Sequence, residues 1–198
     1  MIPSFSLLYK NDFNYEEAIK FLKNNNKKII LALDKIYQPF EIDIVKEFIL
    51  KYKDLNYVYF YITDLGVYEI LKDLKIESRA IYNPYTMITN YLDLDTYNKL
   101  GFDALSLSLE ITLNDLILCY EKTKAPLFEM VFGKRIMFYS KRELISLYGN
   151  KINKELKKEG YIKETGREDY YPIIENDNGT MIYRPYICSY LKYLNKLS

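Results

Sequence analysis

The sequence predicts an α/β fold: a TIM-like (β/α) barrel, short or incomplete, followed by a C-terminal β-hairpin. Short runs rich in β-branched and aromatic residues alternate with segments whose apolar residues recur at helical spacing. The units repeat at roughly 25 residues, which suits parallel strands with right-handed helical crossovers better than a helical solenoid. A complete barrel takes about 250 residues. The chain has 198, so we expect missing units and an edge that a partner could cover.

Each predicted strand is a short apolar run, of the kind that is buried on both faces in a parallel sheet. The runs are bounded by polar residues, which places their ends at the surface. We predict strands at Lys27–Leu33, Tyr57–Ile62, Ser78–Tyr82, Ala104–Leu109 and Pro126–Phe132, with Phe5–Tyr9 as a further candidate.

The predicted helices lie between these strands, where apolar side chains share one helical face. The faces belong to segments that run from Tyr15 to Leu22, Ile44 to Tyr52, Leu65 to Leu74 and Leu116 to Tyr120. Asp64 precedes the third segment and is expected to cap it, as Thr112 or Asn114 is for the fourth.

The chain is predicted to form one domain over residues 1–198, because no Gly/Ser/Pro-rich linker interrupts it. The segment Asn153–Asp169 is polar and charged, and we expect it to be part helix and part loop.

No apolar run is long enough to cross a bilayer, and the N-terminus lacks the pattern of a signal peptide. We therefore expect a cytoplasmic protein with no membrane partner.

The composition limits the kinds of functional site that the chain can contain. The net charge is +1, so any nucleic-acid surface must be local. There is no histidine, which removes the commonest general base and metal ligand. The two cysteines, Cys119 and Cys188, have no CxxC spacing and cannot provide four thiolates for an iron–sulfur cluster. The sequence thus predicts no metal site and no cofactor in this chain.

Two stretches carry a resemblance. Gly133–Asn150, GKRIMFYSKRELISLYGN, and Tyr171–Thr180, YPIIENDNGT, resemble the C-terminal half of the peptidase U32 (collagenase-like) family. Asn83–Asn90, Gly101 and Glu110 fall on the same family pattern in order and spacing, from about Lys27 onward. Within the family the chain is most similar to the small, cysteine-poor members encoded beside a tRNA-hydroxylation partner.

The resemblance implies a TIM-like barrel. It also implies a role in RNA or ubiquinone hydroxylation, or the collagenase activity that gave the family its name. Members with an iron–sulfur cluster place a cysteine where this chain has Glu143. Polar family positions are also apolar here, at Leu109, Phe132 and Phe128. Glu129 stands one residue from a family glutamate, and in a strand it would face the opposite way. These departures favour a retired active site.

Each candidate residue has two interpretations. Glu110, at the end of a predicted strand, is a catalytic carboxylate or else a helix cap or salt-bridge partner. Lys141 and Arg142 contact RNA phosphates, or pair internally with Glu110 or Glu175. Asn83 and Asn90 bind a substrate's polar edge, or bond the backbone in turns.

The last block adds Tyr171 and Glu175 to the residues assigned to substrate or RNA binding by the resemblance. The same block contains Asn178–Gly179, a strong hairpin signal between two apolar runs. We therefore expect a structural role for the hairpin itself.

Three functions remain open. The first is an accessory subunit that supports tRNA hydroxylation at the wobble uridine, with a cysteine-bearing U32 homologue and tRNA as partners, all inferred from the resemblance. The second is a U32-type peptidase, although no GxSxG elbow or HExxH helix is present. The third is a non-catalytic barrel that binds a small acidic metabolite through Lys141 and Arg142.

Overall fold

The computed structural model describes residues 15–176 and 179–196. The chain separates into two compact units, which we call unit 1, ending at Glu129, and unit 2, beginning at Met130. Each unit has its own sheet. The single domain expected over residues 1–198 stays a prediction.

Unit 1 alternates helices and strands, as the sequence predicts. Its elements are α1 Tyr15–Asn24, β1 Ile29–Leu33, α2 Ile42–Tyr52, β2 Val58–Ile62, α3 Leu65–Asp73, β3 Ala80–Tyr82, α4 Tyr91–Asn98, β4 Ala104–Leu105 and α5 Leu113–Lys122, with 3-10 turns at Pro39–Glu41 and Glu77–Arg79. The predicted caps are confirmed: Asp64 accepts from the amide of Gly66 at 2.7 Å, and Thr112 accepts from that of Asp115 at 3.2 Å.

The four strands of unit 1 form a parallel sheet in the order β1-β2-β3-β4. Parallel pairing places Leu33 opposite Ile62, Ile62 opposite Tyr82, and Tyr82 opposite Leu105. Along β2 the buried Val58, Phe60 and Ile62 alternate with half-buried tyrosines on the other face of the sheet. The neighbouring strands are buried on both faces, since all three residues of β3 and four of the five in β1 are buried.

The predicted strand Ala104–Leu109 is shorter than expected. β4 ends at Leu105. The amide of Ser106 still donates to the carbonyl of Tyr82, but the next two leave the ladder: that of Leu107 donates to the Glu129 carboxylate and that of Ser108 to the carbonyl of Ile88. The predicted strand Pro126–Phe132 contributes a single bridge, from Leu127 to Leu105. The candidate strand Phe5–Tyr9 lies outside the described residues.

The described residues do not close into a barrel, so the TIM-like barrel is not confirmed and the observed architecture is mixed α/β. After Glu129 the chain enters an antiparallel sheet instead of adding further parallel βα units. Unit 2 comprises β5 Phe132–Ser140, α6 Leu144–Lys151, β6 Glu159–Lys163, β7 Tyr170–Asn176, β8 Gly179–Ser189 and a 3-10 turn at Leu191–Lys196.

The sheet of unit 2 has the strand order β5-β8-β7-β6. The predicted hairpin is confirmed, since β7 and β8 pair antiparallel up to Asn176 opposite Gly179. The polar segment Asn153–Asp169 was expected to be helix and loop, but it contains β6, which pairs with β7. Among the helices of the described ranges, none is both long and apolar enough to cross a bilayer.

Candidate functional site

A row of polar residues marks one edge of the parallel sheet in unit 1. Asp34, Thr63, Asn83 and Ser106 each directly follow one of the four strands. Because the last residues of the strands are paired in register, the next residues continue as one row. This is the carboxyl edge of a parallel sheet, where α/β proteins bind ligands. We call these four residues, with Tyr61 and Glu129, the carboxyl-edge cluster.

Tyr61 lies one step below the row on the same face, since its position in β2 is two residues before Thr63. Burial is the main reason that the pKa of its hydroxyl is raised. The carboxylates of Asp34 and Glu129 raise it further, while the side chains of Ser106 and Asn83 act in the opposite direction. Its hydroxyl therefore interacts with the side chains of Ser106 and Asn83 and is influenced by the charges of two carboxylates.

The Tyr61 ring also contacts an aromatic neighbour. Its centroid is 5.6 Å from that of Phe128, at an interplanar angle of 58°. A flat ligand at the cluster would thus meet apolar ring surface beside polar atoms, the combination typical of small-molecule sites.

The carboxyl group of Asp34 has a raised pKa. Burial raises its pKa, although its own backbone amide and the nearby Lys35 oppose the shift. Lys35 itself is paired with Glu41 at 3.1 Å. A carboxyl group with a raised pKa holds its proton more readily near neutral pH, and it can then act as a general acid or a hydrogen-bond donor.

Two further groups complete the cluster. Glu129 accepts a hydrogen bond from the amide of Leu107, and its charge contributes to the raised pKa of Tyr61. The chain leaves strand geometry after Leu127, so the alternation rule is not tested at Glu129. Among the described residues, the buried Oγ1 of Thr63 has no hydrogen-bond partner. An unsatisfied buried hydroxyl at a sheet edge is the kind of group that a ligand or water completes.

Asn83 is the one predicted site residue that belongs to the cluster. It is 5% exposed, and its Oδ1 accepts from the amide of Tyr85 at 3.2 Å, which confirms the turn interpretation. Its side chain also acts on Tyr61, so the turn places the amide group inside the cluster. The two interpretations of Asn83 are therefore compatible.

Asn90 and Glu110 are placed differently. Asn90 is the N-cap of α4: its Oδ1 accepts from the amides of Leu92 and Asp93, both at 3.0 Å. Glu110 was expected at a strand end, but it lies exposed in a turn five residues beyond β4, with its amide donating to Ser108 at 3.2 Å. Substrate-related roles for both residues stay predictions.

The remaining predicted residues belong to unit 2. Glu175 is buried, and its carboxylate accepts from the amides of Ile145 at 2.7 Å and Ser146 at 3.0 Å, and from the Ser146 hydroxyl. Burial alone would raise the pKa of Glu175, but these hydrogen bonds and Lys158, 3.6 Å away, together lower it. The residue thus holds the first turn of α6.

Thr180 and Gly179 hold the preceding turn. Thr180 Oγ1 donates to the carbonyl of Arg142 at 2.8 Å and accepts from the amide of Leu144 at 2.9 Å. Gly179 adopts a φ of +115°, and a Cβ there would come within 2.0 Å of the Ser140 carbonyl oxygen. The two stretches that carry the family resemblance are therefore in direct contact with each other.

Lys141 is half-buried and Arg142 is exposed at the turn that this contact fixes. Glu175, one of their expected internal partners, is paired with Lys158 instead. Tyr171 is half-buried on β7 opposite Ile162. The phosphate-contact role of Lys141 and Arg142 stays a prediction.

Sequence reasoning missed Asp34, Tyr61, Thr63, Ser106 and Glu129. One signal was available: a polar residue directly follows each of the four parallel strands.

Within residues 15–176 and 179–196, no group of three or more His, Cys, Asp or Glu side chains is placed to hold a metal ion. Cys119 is buried in α5 and belongs to the core of unit 1, and Cys188 is half-buried on β8.

Comparison with known proteins gives two matches. A sequence model described as peptidase family U32 matches residues 5–198. The tRNA hydroxylation protein P2 of Bacillus subtilis (strain 168) is 23% identical over 191 residues, an alignment that covers 91% of this chain and 62% of that relative. The chain thus spans less than two thirds of the relative's length. No solved structure matches the chain.

Proposed function

The chain belongs to peptidase family U32, and from that premise we propose that it supports the hydroxylation of tRNA at the wobble uridine as an accessory subunit. The observation that carries the proposal is the similarity to a protein named for tRNA hydroxylation, over 91% of this chain. Because the identity is 23% and the alignment covers 62% of that relative, the tRNA substrate and the accessory role are both proposals.

The small number of cysteines is our reason for proposing a partner protein. Family members with a cluster use four cysteines, whereas this chain has two. We expect a cysteine-bearing U32 homologue to supply the redox group, and the same partner to extend the parallel sheet of unit 1 into a barrel. The residues of this chain would bind and orient the nucleotide.

The carboxyl-edge cluster offers groups suited to a pyrimidine ring. The ring presents alternating hydrogen-bond acceptors and donors along its edge. The hydroxyl of Tyr61 and the amide of Asn83 are donors, and Glu129 is an acceptor whose charge acts on Tyr61. Asp34, with its raised pKa, can serve as either according to its protonation. The Phe128 ring provides apolar surface next to Tyr61.

A pull-down tests the assembly. Tagged protein would be recovered from native lysate, and the bound proteins and RNAs identified, with untagged lysate as the control. The proposal expects a cysteine-bearing U32 homologue together with tRNA. Recovery of this protein alone, without RNA, would contradict the accessory role and favour a self-contained metabolite binder.

A further inference from the structure

The two units carry opposite charge. Residues 130–198 contain 13 Lys and Arg against 8 Asp and Glu, a net charge of +5. The whole chain has a net charge of +1, so residues 1–129 have a net charge of −4. Such an asymmetry between parts of a chain indicates a polyanionic partner for the basic part. The net charge of the whole chain is close to zero, but the 69 residues of unit 2 are basic.

The most exposed part of unit 2 is a continuous segment from Lys151 to Tyr170, in which every residue is exposed. It includes all five residues of the edge strand β6. From residue 151 to residue 163 the segment has five lysines and two glutamates. A strand that is exposed on both faces has no packing reason to carry aromatic side chains.

Two tyrosines nevertheless stand on this strand pair. Tyr161 is 67% exposed and Tyr170 is 58% exposed. Lys163 is directly opposite Tyr170 in the ladder and two residues from Tyr161, so the three side chains share one face. The Nζ of Lys163 lies 4.8 Å from the Tyr170 ring centroid. We call Tyr161, Lys163 and Tyr170 the tyrosine platform.

Exposed aromatic rings interleaved with cations on an antiparallel sheet are how proteins bind single-stranded nucleic acid. The bases stack on the rings, and the cations meet the phosphates. A protein strand added at the free edge of β6 would use backbone groups instead and would gain nothing from the lysines, which oppose such pairing. The charge of unit 2 therefore favours a single-stranded nucleic acid over a protein strand as the occupant.

We infer that the tyrosine platform of β6 and β7 binds an unpaired loop of RNA, with Tyr161 and Tyr170 stacking on bases and the lysines of residues 151–163 contacting phosphates. The RNA class rests on the proposed function, in which tRNA is the substrate. The surface is separate from the predicted phosphate contacts at Lys141 and Arg142, which lie at the end of β5.

Binding by the purified full chain tests the inference. Fluorescence anisotropy would compare a labelled RNA stem-loop with a blunt duplex of the same stem sequence. We expect tighter binding of the stem-loop, and a loss of about tenfold in affinity for each of Tyr161→Ala and Tyr170→Ala, the usual effect of removing one base–aromatic stack. Tyr120→Ala removes an exposed tyrosine from α5 in unit 1 and is the matched control, expected to bind like the unmodified protein.

Salt dependence gives a second readout. Changing Lys154 and Lys157 together to Gln should reduce the slope of log Kd against log salt by about 1.4, since each phosphate contact with a single strand contributes about 0.7. All of these side chains are exposed, so thermal melting of each variant should match the unmodified protein.

The inference is overturned if the stem-loop binds no better than the duplex, or if both Tyr161→Ala and Tyr170→Ala bind as tightly as Tyr120→Ala. Self-association through β6, seen as a dimer that these variants abolish while RNA binding is unaffected, would also overturn it. Loop binding that depends on the tyrosines would persist even if cells lacking the gene kept their tRNA hydroxylation. The two proposals can therefore fail separately.

Discussion

The carboxylate of Glu175 on β7 accepts a 2.7 Å hydrogen bond from the amide of Ile145, thirty residues earlier in the first turn of α6. Helix N-termini have amides without intrahelical acceptors, and a carboxylate there is also favoured by the helix dipole. Glu143, at the N-cap position itself, makes no side-chain cap bond. The cap of α6 is therefore supplied from a distant strand.

We expect Glu175→Ala to lower the free energy of unfolding by about 2–3 kcal/mol, because it leaves buried donors of Ile145 and Ser146 without an acceptor. Glu143→Gln, at the exposed neighbouring position, should change it by less than about 0.5 kcal/mol. Urea denaturation of both variants measures the difference. Equal effects would mean that the distant cap does not stabilise α6.

The same residue predicts a pH dependence. Its pKa in the folded protein is below the ordinary 4.5, so its contribution to stability is present above that value. The contribution is lost as the pH falls through the lower folded pKa. Between about pH 7 and about pH 3 the unmodified protein should lose more stability than Glu175→Gln does. Parallel losses in the two proteins would contradict this assignment.

The ionisation of Asp34 should affect stability in the opposite direction to that of Glu175. Its folded pKa is above the ordinary 3.8, so its ionisation at higher pH costs stability in the folded state. Asp34→Asn is therefore expected to raise the free energy of unfolding at neutral pH by about 1 kcal/mol, as changes at functional sites often do. Chemical denaturation at neutral pH and near pH 4 would check it; the gain should shrink at the lower pH. A destabilised variant at neutral pH would show that Asp34 has a structural role.

Gly179 is expected to tolerate no side chain. In Gly179→Ala the new Cβ would lie 2.0 Å from the Ser140 carbonyl oxygen and 2.7 Å from Lys141 Cα, so backbone must move. We expect a loss of at least about 3 kcal/mol in the free energy of unfolding. Gly166→Ala separates the causes: its φ of +88° carries the same strain, but nothing lies within 4 Å of the added Cβ. That variant should lose only about 1 kcal/mol, and equal losses would refute the steric account.

The features predicted well from the sequence are those that depend on local signals. The caps at Asp64 and Thr112 and the β7–β8 hairpin depend on residues within a few positions of each other. β6 could not be found in this way, because a strand exposed on both faces has no alternation of apolar and polar residues. The sequence analysis does not predict α4 either, although the residue that caps it, Asn90, is among its candidate binding residues.

The candidate site was less predictable, since its members meet only through the sheet. Asp34 and Glu129 are far apart in sequence, and both act on Tyr61. Tyr61 was indistinguishable in sequence from the other tyrosines of its strand. Glu175 was assigned to binding by resemblance, whereas its contacts show how it caps a helix. These contacts join the two stretches that carry the family resemblance.

The central claim is the role in tRNA hydroxylation, and the nucleosides of total tRNA test it most directly. Mass spectrometry would quantify hydroxylated uridine in cells that lack the gene, and in the same cells complemented with the unmodified gene or with Asp34→Asn. We predict that the modified nucleoside falls in the deletion, returns with the unmodified gene and does not return with Asp34→Asn, although that variant folds. An unchanged level of hydroxylated uridine in the deletion would contradict the claim.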